Sequence, residues 1–265
     1  MPWSISPNMF VGFTYPRWYG LFFAIGTLLS LYSFLRSVIK RQLPLGHLSL
    51  GISIVASSTL VFMRVWHCFF YEFEFYSSNL ASVFDLRRGG FASHGGVVGM
   101  LLGLVFYLRV TEQQHLRQSI LTFAAVSSFW AYGFIRIGNF FHSEVIGTPT
   151  DLPWGIVFTQ VDTLARHPVQ IYEALGYWLC AIFLSHQVNA VDIAQSKLRL
   201  IFAASFVFGF TWRFSCEFFK ANHYNTWLTS LTPGQIYSLP FILYGLVLLV
   251  RSRRLADEVN TVGNI

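Results

Sequence analysis

WYGLFFAIGTLLSLYSFL, residues 18–35, contains no charged side chain and stops at Arg36, Lys40 and Arg41. A helix needs about 20 mostly apolar residues to cross the hydrocarbon of a bilayer, and basic residues collect where such helices leave it. The pattern repeats along the chain. Residues 48–70 are apolar but carry Arg64 and His67, and residues 89–108 are uncharged apart from His94 and stop at Arg109. Residues 118–140 are uncharged until Arg136, 168–184 surround Glu173, and 200–219 surround Arg213 and Glu217. Residues 236–250 end in Arg251, Arg253 and Arg254. The length rule therefore predicts an all-α, polytopic integral membrane protein with about seven transmembrane helices, forming a single membrane-embedded domain over residues 1–265.

Composition agrees. Of 265 residues, 54% are hydrophobic, 18% aromatic and only 11% charged. Ordinary domains carry about 25% charged residues, so this chain lacks the polar coat of a freely soluble protein. The net charge of +6 does not form one face or run, which argues against nucleic acid as a partner. Residues 1–8 lack the basic start and small-residue cleavage site of a signal peptide. Cys68, Cys180 and Cys216 have no metal or redox spacing and read as small buried hydrophobes.

Orientation follows from the short connections. Alternating the segment ends puts Arg36, Lys40, Arg41, Arg109, Arg117, Lys197, Arg199, Arg251, Arg253 and Arg254 on one side. Arg17, Arg87, Arg88, Arg166 and Lys220 fall on the other, half as many. The richer side is cytoplasmic, which leaves the N-terminus outside and the C-terminus inside. Trp3, Trp18, Trp154 and Trp227 suit the outer interfacial belt.

Arg64, Arg136 and Arg213 belong to neither set. Charged groups within spans are costly unless paired or wet, and mark function by default. They fall toward the outer ends of their segments, at the level of His94, Glu144, Glu173 and Glu217. Gly95, Gly99 and Gly103 recur every four residues, a small stripe on which another helix can pack closely. His94 begins that segment between glycines. It reads as a general base or phosphate contact, or as a satisfied structural histidine. Arg136 and Asn139, three apart, form a fork for anionic oxygens, and an Arg136 ion pair to Glu144 or Glu217 is compatible with it. His167, Gln170 and Glu173 share a face after Pro168 and read as a polar network. Arg213 and Glu217, four apart, share another. H-E-x-x-H, C-x-x-C, G-x-S-x-G and P-loop patterns are missing, so no metal or cofactor is expected. A cationic pocket in the lipid plane suits a substrate with an anionic head and apolar tails.

These residues resemble the prolipoprotein diacylglyceryl transferase family. The resemblance runs from Trp18 to Pro240. It includes H-G-G at 94–96, R-x-G-N-F at 136–140, E-x-x-G at 144–147, R-H-P-x-Q-x-Y-E at 166–173, R-F-x-x-E-F-F at 213–219 and G-Q at 234–235. It implies a seven-span protein of the bacterial inner membrane, working toward the periplasmic leaflet. It implies transfer of a diacylglyceryl group from phosphatidylglycerol to the lipobox cysteine of a prolipoprotein signal peptide, with release of glycerol phosphate. It implies catalytic roles for His94, Arg136 and Arg213, and substrate binding by Arg136, Asn139, Glu144, Gly147, Tyr19 and Glu217. His94 or a nearby carboxylate would take the thiol proton. The chain departs from the family pattern at His142 and Ser143, where Asn-Gly is usual, and at Gly209 and Phe210, where a Tyr is expected. It departs again at Thr122, where an acid is expected, and at Lys220, where Arg is common. The departures motivate a second reading, a member that handles phospholipid without this chemistry. A seven-span receptor or channel would need polar residues through the whole bilayer, and the charges here stop in its outer half.

Overall fold

Lipid offers no partner to a backbone N–H or C=O, so an apolar segment in it must pair those groups within itself, as a helix does. All seven apolar segments do so. The computed structural model describes residues 1–10, 17–43, 48–85, 90–190, 194–221 and 231–262. Its helices are α1 (Trp18–Lys40), α2 (Leu48–Phe70), a short α3 (Phe73–Ser78), α4 (Ser93–Val110), α5 (Arg117–Phe141), α6 (Val169–Val188), α7 (Gln195–Glu217) and α8 (Pro233–Val262). Four have the length and hydropathy to cross a membrane: α1, α2, α5 and the part of α8 over Pro233–Arg254. By contrast, α4 is shorter, and α6 and α7 do not reach that hydropathy. Arg87, Arg88, Gly89 and Trp227 lie outside the described residues.

Hydropathy marks the apolar run rather than the end of a helix. Arg and Lys are good helix formers, so α1 continues past residue 35 to Lys40 and α8 past 250 to Val262. The surface is inverted relative to a soluble bundle. Leu28, Leu179 and Leu243 are more than 60% exposed, while Thr122, Gln170, Glu173 and Ser238 are wholly buried. Apolar faces of that extent require lipid or a partner against them.

The chain forms two compact units, Met1–Arg41 with Thr122–Ile265, and Gln42–Leu121. In the second, α2 and α4 pack along their lengths. The Gly95, Gly99 and Gly103 stripe makes this approach possible: side chains there would overlap Phe62, Ser58 and Val55 of α2. The Ser58 hydroxyl donates to the Gly99 carbonyl at 2.8 Å.

In the first unit, α7 packs on both α6 and α8. Lys40 and Arg41, two of the basic residues from which the sequence predicts an orientation, close the end of α6. Lys40 Nζ donates to Asn189 O at 2.5 Å, and Arg41 Nη2 to Val188 O and Ala190 O at 2.6 and 3.0 Å. The last carbonyls of a helix have no intrahelical donor, and these cations supply one.

Beside the helices lies a small three-stranded sheet that the sequence did not show. β1 (Pro2–Trp3) runs parallel to β2 (Ile156–Phe158), which pairs antiparallel with β3 (Ala165–Arg166). Strands of two or three residues are too short to show an alternation. The Met1 ammonium donates to Gly155 O at 2.9 Å, and the Trp3 ring packs on Phe140 and Phe141 at 4.4 and 5.1 Å. Trp3 is therefore a packing residue of this small core, whatever it also does at an interface. Beside the sheet, Arg166 bonds Asp162 through two nitrogens and holds that carboxyl below the usual carboxylate range.

Candidate active site

The site grows from the end of α5. Ser143 has φ +53, and its N–H donates to Phe140 O at 3.0 Å. Glu144 N–H donates to Asn139 O, also at 3.0 Å. These two bonds around a left-handed residue are the Schellman ending, which turns the chain back over the last helical turn. Glu144 is thereby returned to Asn139, whose Nδ2 donates to Glu144 Oε2 at 3.2 Å. Arg136 Nη1 in turn donates to Asn139 Oδ1 at 3.0 Å, so the predicted i, i+3 pairing forms. The resemblance explains why glycine is usual at 143: only glycine enters this backbone region without steric cost. Ser143 keeps the geometry at a cost. Ser143→Gly is expected to raise the melting temperature in detergent, by about 1 kcal/mol of stability, with activity retained. A lower melting temperature would show that the serine hydroxyl outweighs the strain.

The hub is Glu173, one turn into α6 and wholly buried. Its Oε2 lies 3.1 Å from Arg136 Nε, and its Oε1 lies 3.4 Å from Arg213 Nη1 and 3.1 Å from Lys220 Nζ. Glu217 is the second carboxylate, with Oε1 at 2.5 Å from Lys220 Nζ and 3.6 Å from Arg213 Nη2. The expected pair of Arg136 with Glu144 or Glu217 is thus replaced by a pair with Glu173, because Asn139 stands between Arg136 and Glu144. The expected Arg213–Glu217 pair is present.

The start of α8 completes the network. Thr232 Oγ1 accepts from Gln235 N–H at 3.2 Å, and Gln235 Oε1 accepts from Thr232 N–H at 3.0 Å. This reciprocal capping box satisfies two helix-end donors and fixes Thr232, whose hydroxyl donates to Glu217 Oε2 at 3.0 Å. A side chain at Gly234 would overlap the Glu217 carboxylate. The G-Q motif at 234–235 therefore has a local reason: the glycine admits the carboxylate and the glutamine caps the helix beside it.

Arg136, Asn139, Glu144, Arg213 and Glu217 are thus joined in one chain of contacts where α5 and α7 end and α6 and α8 begin. In the sequence Glu173 read as one of the charges at the outer level and as part of a polar network, and Lys220 as an outer-loop charge. The structure makes both central, and Lys220 is buried. Its sequence signals were its place three residues after Glu217 and, by the resemblance, its place where Arg is common. Of the shared face of α6, Gln170 Nε2 donates to Glu144 O at 2.7 Å, while His167 Nδ1 lies 3.3 Å from the Tyr172 hydroxyl. Tyr19 packs beside Gly138, with its ring 5.8 Å from His142. Gly147 contributes backbone: its carbonyl accepts from Arg166 Nη1 at 2.9 Å, and it bridges Lys220.

The other departures are locally satisfied. His142 Nδ1 lies 3.6 Å from Glu144 Oε1. Gly209 admits the Phe129 ring, and Phe210 stacks on Phe241 at 4.4 Å. Thr122 donates to Leu198 O at 3.2 Å. His94 belongs to the unit Gln42–Leu121. It is 1% exposed in the first turn of α4, with its ring 6.4 Å from that of Trp66.

The charges decide what the network can do. Three cations, Arg136, Arg213 and Lys220, share two buried carboxylates. Glu144, the third acid, sits half-exposed at the edge. The interior therefore holds a surplus of positive charge, with two guanidinium groups preset by one carboxylate. That surplus matches an anionic oxygen group, which a guanidinium binds through paired N–H donors.

Known proteins are similar along nearly the whole chain. A family model described as prolipoprotein diacylglyceryl transferase matches residues 9–251. A protein of Chloroherpeton thalassium named phosphatidylglycerol--prolipoprotein diacylglyceryl transferase is 36% identical over 98% of this chain and 97% of its own length. A protein of Tolumonas auensis with the same name is 34% identical over 95% of this chain and 97% of its own. One of Chlamydia muridarum, again so named, is 31% identical over 88% and 89%. Since the match runs through every helix that contributes to the charged network, the chain belongs to the prolipoprotein diacylglyceryl transferase family.

Proposed function

We propose that this protein is an enzyme that transfers the diacylglyceryl group of phosphatidylglycerol to the lipobox cysteine thiol of bacterial prolipoproteins. It works as one domain with seven spans in the inner membrane, N-terminus periplasmic and C-terminus cytoplasmic, with its charged residues toward the periplasmic leaflet. The observation that carries the reading is the buried network centred on Glu173, in a chain that belongs to this family.

The reaction makes one bond and breaks one. The cysteine thiol loses its proton, its sulfur attacks the glyceryl methylene carbon that bears phosphate, and the C–O bond breaks. Glycerol phosphate leaves, and the diacylglyceryl group remains on sulfur as a thioether. A thiolate is the competent nucleophile, and an imidazole accepts its proton near neutral pH. His94 is assigned that role on its chemistry and its place at the buried start of α4. The departing phosphate gains negative charge on its oxygens. Arg136 and Arg213, preset by Glu173, stabilise that charge without reorganising, and preset donors of this kind usually do more for the rate than any other feature of a site. Asn139 holds the Arg136 fork and Glu144 holds Asn139, so these two act on the lipid headgroup beside Arg136. Glu217 holds Arg213 and Lys220. Gly147 and Tyr19 shape the edge of the site.

The test is direct. The purified protein, incubated with phosphatidylglycerol and a lipobox peptide, is expected to yield a peptide heavier by one diacylglyceryl group, together with glycerol phosphate. A preparation that binds the lipid but never shifts the mass of the peptide overturns the reading and favours phospholipid handling without transfer. The departures that motivated that second reading give it no structural foothold, since His142, Ser143, Phe210 and Thr122 are accommodated without disturbing the network.

A further inference from the structure

Arg64 is buried in α2, 4% exposed, in a segment that carries almost no other charge. Among the described residues its guanidinium donates to four main-chain carbonyls. Nε reaches Val83 O at 2.8 Å, Nη2 reaches Ser82 O at 2.8 Å and Asp85 O at 3.0 Å, and Nη1 reaches Gly90 O at 3.3 Å. The Tyr76 ring packs over it at 5.1 Å. A guanidinium has five donors in a fixed planar fork. Here four of its bonds go to backbone, so the group acts on the course of the chain rather than offering its fork to an anion.

Of these acceptors, Gly90 stands three residues before α4. Gly90 has φ +81, and a side chain there would overlap the His67 imidazole and crowd Arg64. Two residues on, the Ala92 N–H donates to Met63 O at 3.0 Å. Two residues further, the His94 ring stands beside Trp66 at an interplanar angle of 26°. One turn of α2, containing Met63, Arg64, Trp66 and His67, thus fixes Gly90, Ala92 and His94 in succession.

We propose that Arg64 is a positioning residue for the transfer reaction: by clamping the backbone that enters α4, it sets the orientation of the His94 imidazole. The inference rests on the reading of His94 as the proton acceptor. An imidazole must present one nitrogen to the thiol within hydrogen-bond reach, and a displacement of about 1 Å costs on the order of 100-fold in rate. Lysine keeps the charge but not the fork, so it reaches fewer of the carbonyls.

The experiment compares Arg64→Lys, Arg64→Gln, His94→Gln and the double variant Arg64→Gln/His94→Gln of the full-length protein in detergent. Turnover and KM for phosphatidylglycerol are measured with the lipobox peptide, and backbone hydrogen exchange is followed by mass spectrometry. Arg64→Gln is expected to lower turnover about 100-fold with KM within about two-fold of wild type, and Arg64→Lys to recover part of the loss. Exchange is expected to quicken at residues 90–96 and to stay unchanged in α6, α7 and α8. Arg64→Gln is expected to add nothing in the His94→Gln background, as two residues acting through one step do. A rise in KM at unchanged turnover overturns the proposal, as does a general loss of protection in both Arg64 variants, which would make Arg64 a residue of global stability. Wild-type turnover in both Arg64 variants with His94→Gln inactive overturns the role of Arg64 alone. Full turnover in His94→Gln overturns the reading of His94 on which it rests.

Discussion

Arg136→Ala is expected to yield no diacylglyceryl peptide above background, a loss of at least about 1000-fold, while the variant purifies folded from membranes. Both halves of that expectation follow from the contacts. Arg136 bonds Asn139 through Nη1, and its Nε pairs with the Glu173 carboxylate at 3.1 Å. In the proposed reaction its truncation removes a preset donor to the departing phosphate, and the loss of one such donor costs on the order of 100- to 1000-fold in rate. Here it also frees Asn139, and with it Glu144, so the larger figure applies. Folding is spared because the charges balance better afterwards: Arg213 and Lys220 remain against Glu173 and Glu217, two on two. A network that loses its surplus cation loses its attraction for an anionic headgroup but not its internal pairing. The mass of the peptide reports the first effect and thermal melting in detergent the second. Thioether formed at the normal rate would refute the role given to Arg136. Arg136→Lys is expected to fall between, since a lysine supplies the charge without the paired geometry.

The sequence and the structure agree where interactions are local. Hydropathy reports the partition of a segment into lipid, so each of the seven apolar runs became a long helix. Spacings of three and four on a helix bring side chains together, so Arg136 with Asn139 and Arg213 with Glu217 were legible before any fold was known. The glycine stripe on α4 was legible for the same reason. What stayed hidden was the choice of partner between helices. Glu173 meets Arg213 and Lys220 from 40 and 47 residues away, and no periodicity records that distance. Arg136 accordingly looked like a partner for Glu144, the acid nearest in sequence, when Asn139 occupies the space between. Lys220 was hidden by position, since a basic residue just beyond an apolar run is what orientation alone produces.

Backbone chemistry accounts for most of the remainder. The departure at Ser143 looked like a threat to the site, yet φ +53 and the two Schellman bonds show a turn that tolerates serine at a cost. The sheet of β1, β2 and β3 left no trace because its strands are too short to display an alternation. Arg64 was recognisable as an anomaly in an apolar helix, but its role depends on four carbonyls that carry no side-chain signature. Intramembrane charge thus marked the residues that meet in the network, while the pairing among them needed the fold.

Glu173→Gln tests that pairing most sharply, because it removes the shared carboxylate and keeps the size. The amide oxygen can accept from one cation, but Arg136, Arg213 and Lys220 then face Glu217 as the only carboxylate paired with them among the described residues. Removing one partner from a buried charge network costs about 3–5 kcal/mol, mostly through the charges left behind. At about 2–4 °C per kcal/mol for a chain of this size, melting should fall by roughly 10 °C. Turnover should fall as well, since the two guanidinium groups lose the carboxylate that sets their spacing. The decisive measurement is melting with added lipid. A phosphodiester headgroup supplies the negative charge that the variant lacks, and a ligand stabilises whichever state it binds. Phosphatidylglycerol should therefore raise the melting temperature of Glu173→Gln more than that of the wild type, and phosphatidylcholine, whose headgroup carries a compensating cation, should raise it less. If phosphatidylglycerol instead stabilises the wild type and leaves the variant unchanged, Glu173 is not standing where it competes with the lipid for the arginines. It would then be needed to build the lipid site at all, and the preset pair of guanidinium groups, rather than the surplus of charge, would be what recognises the headgroup.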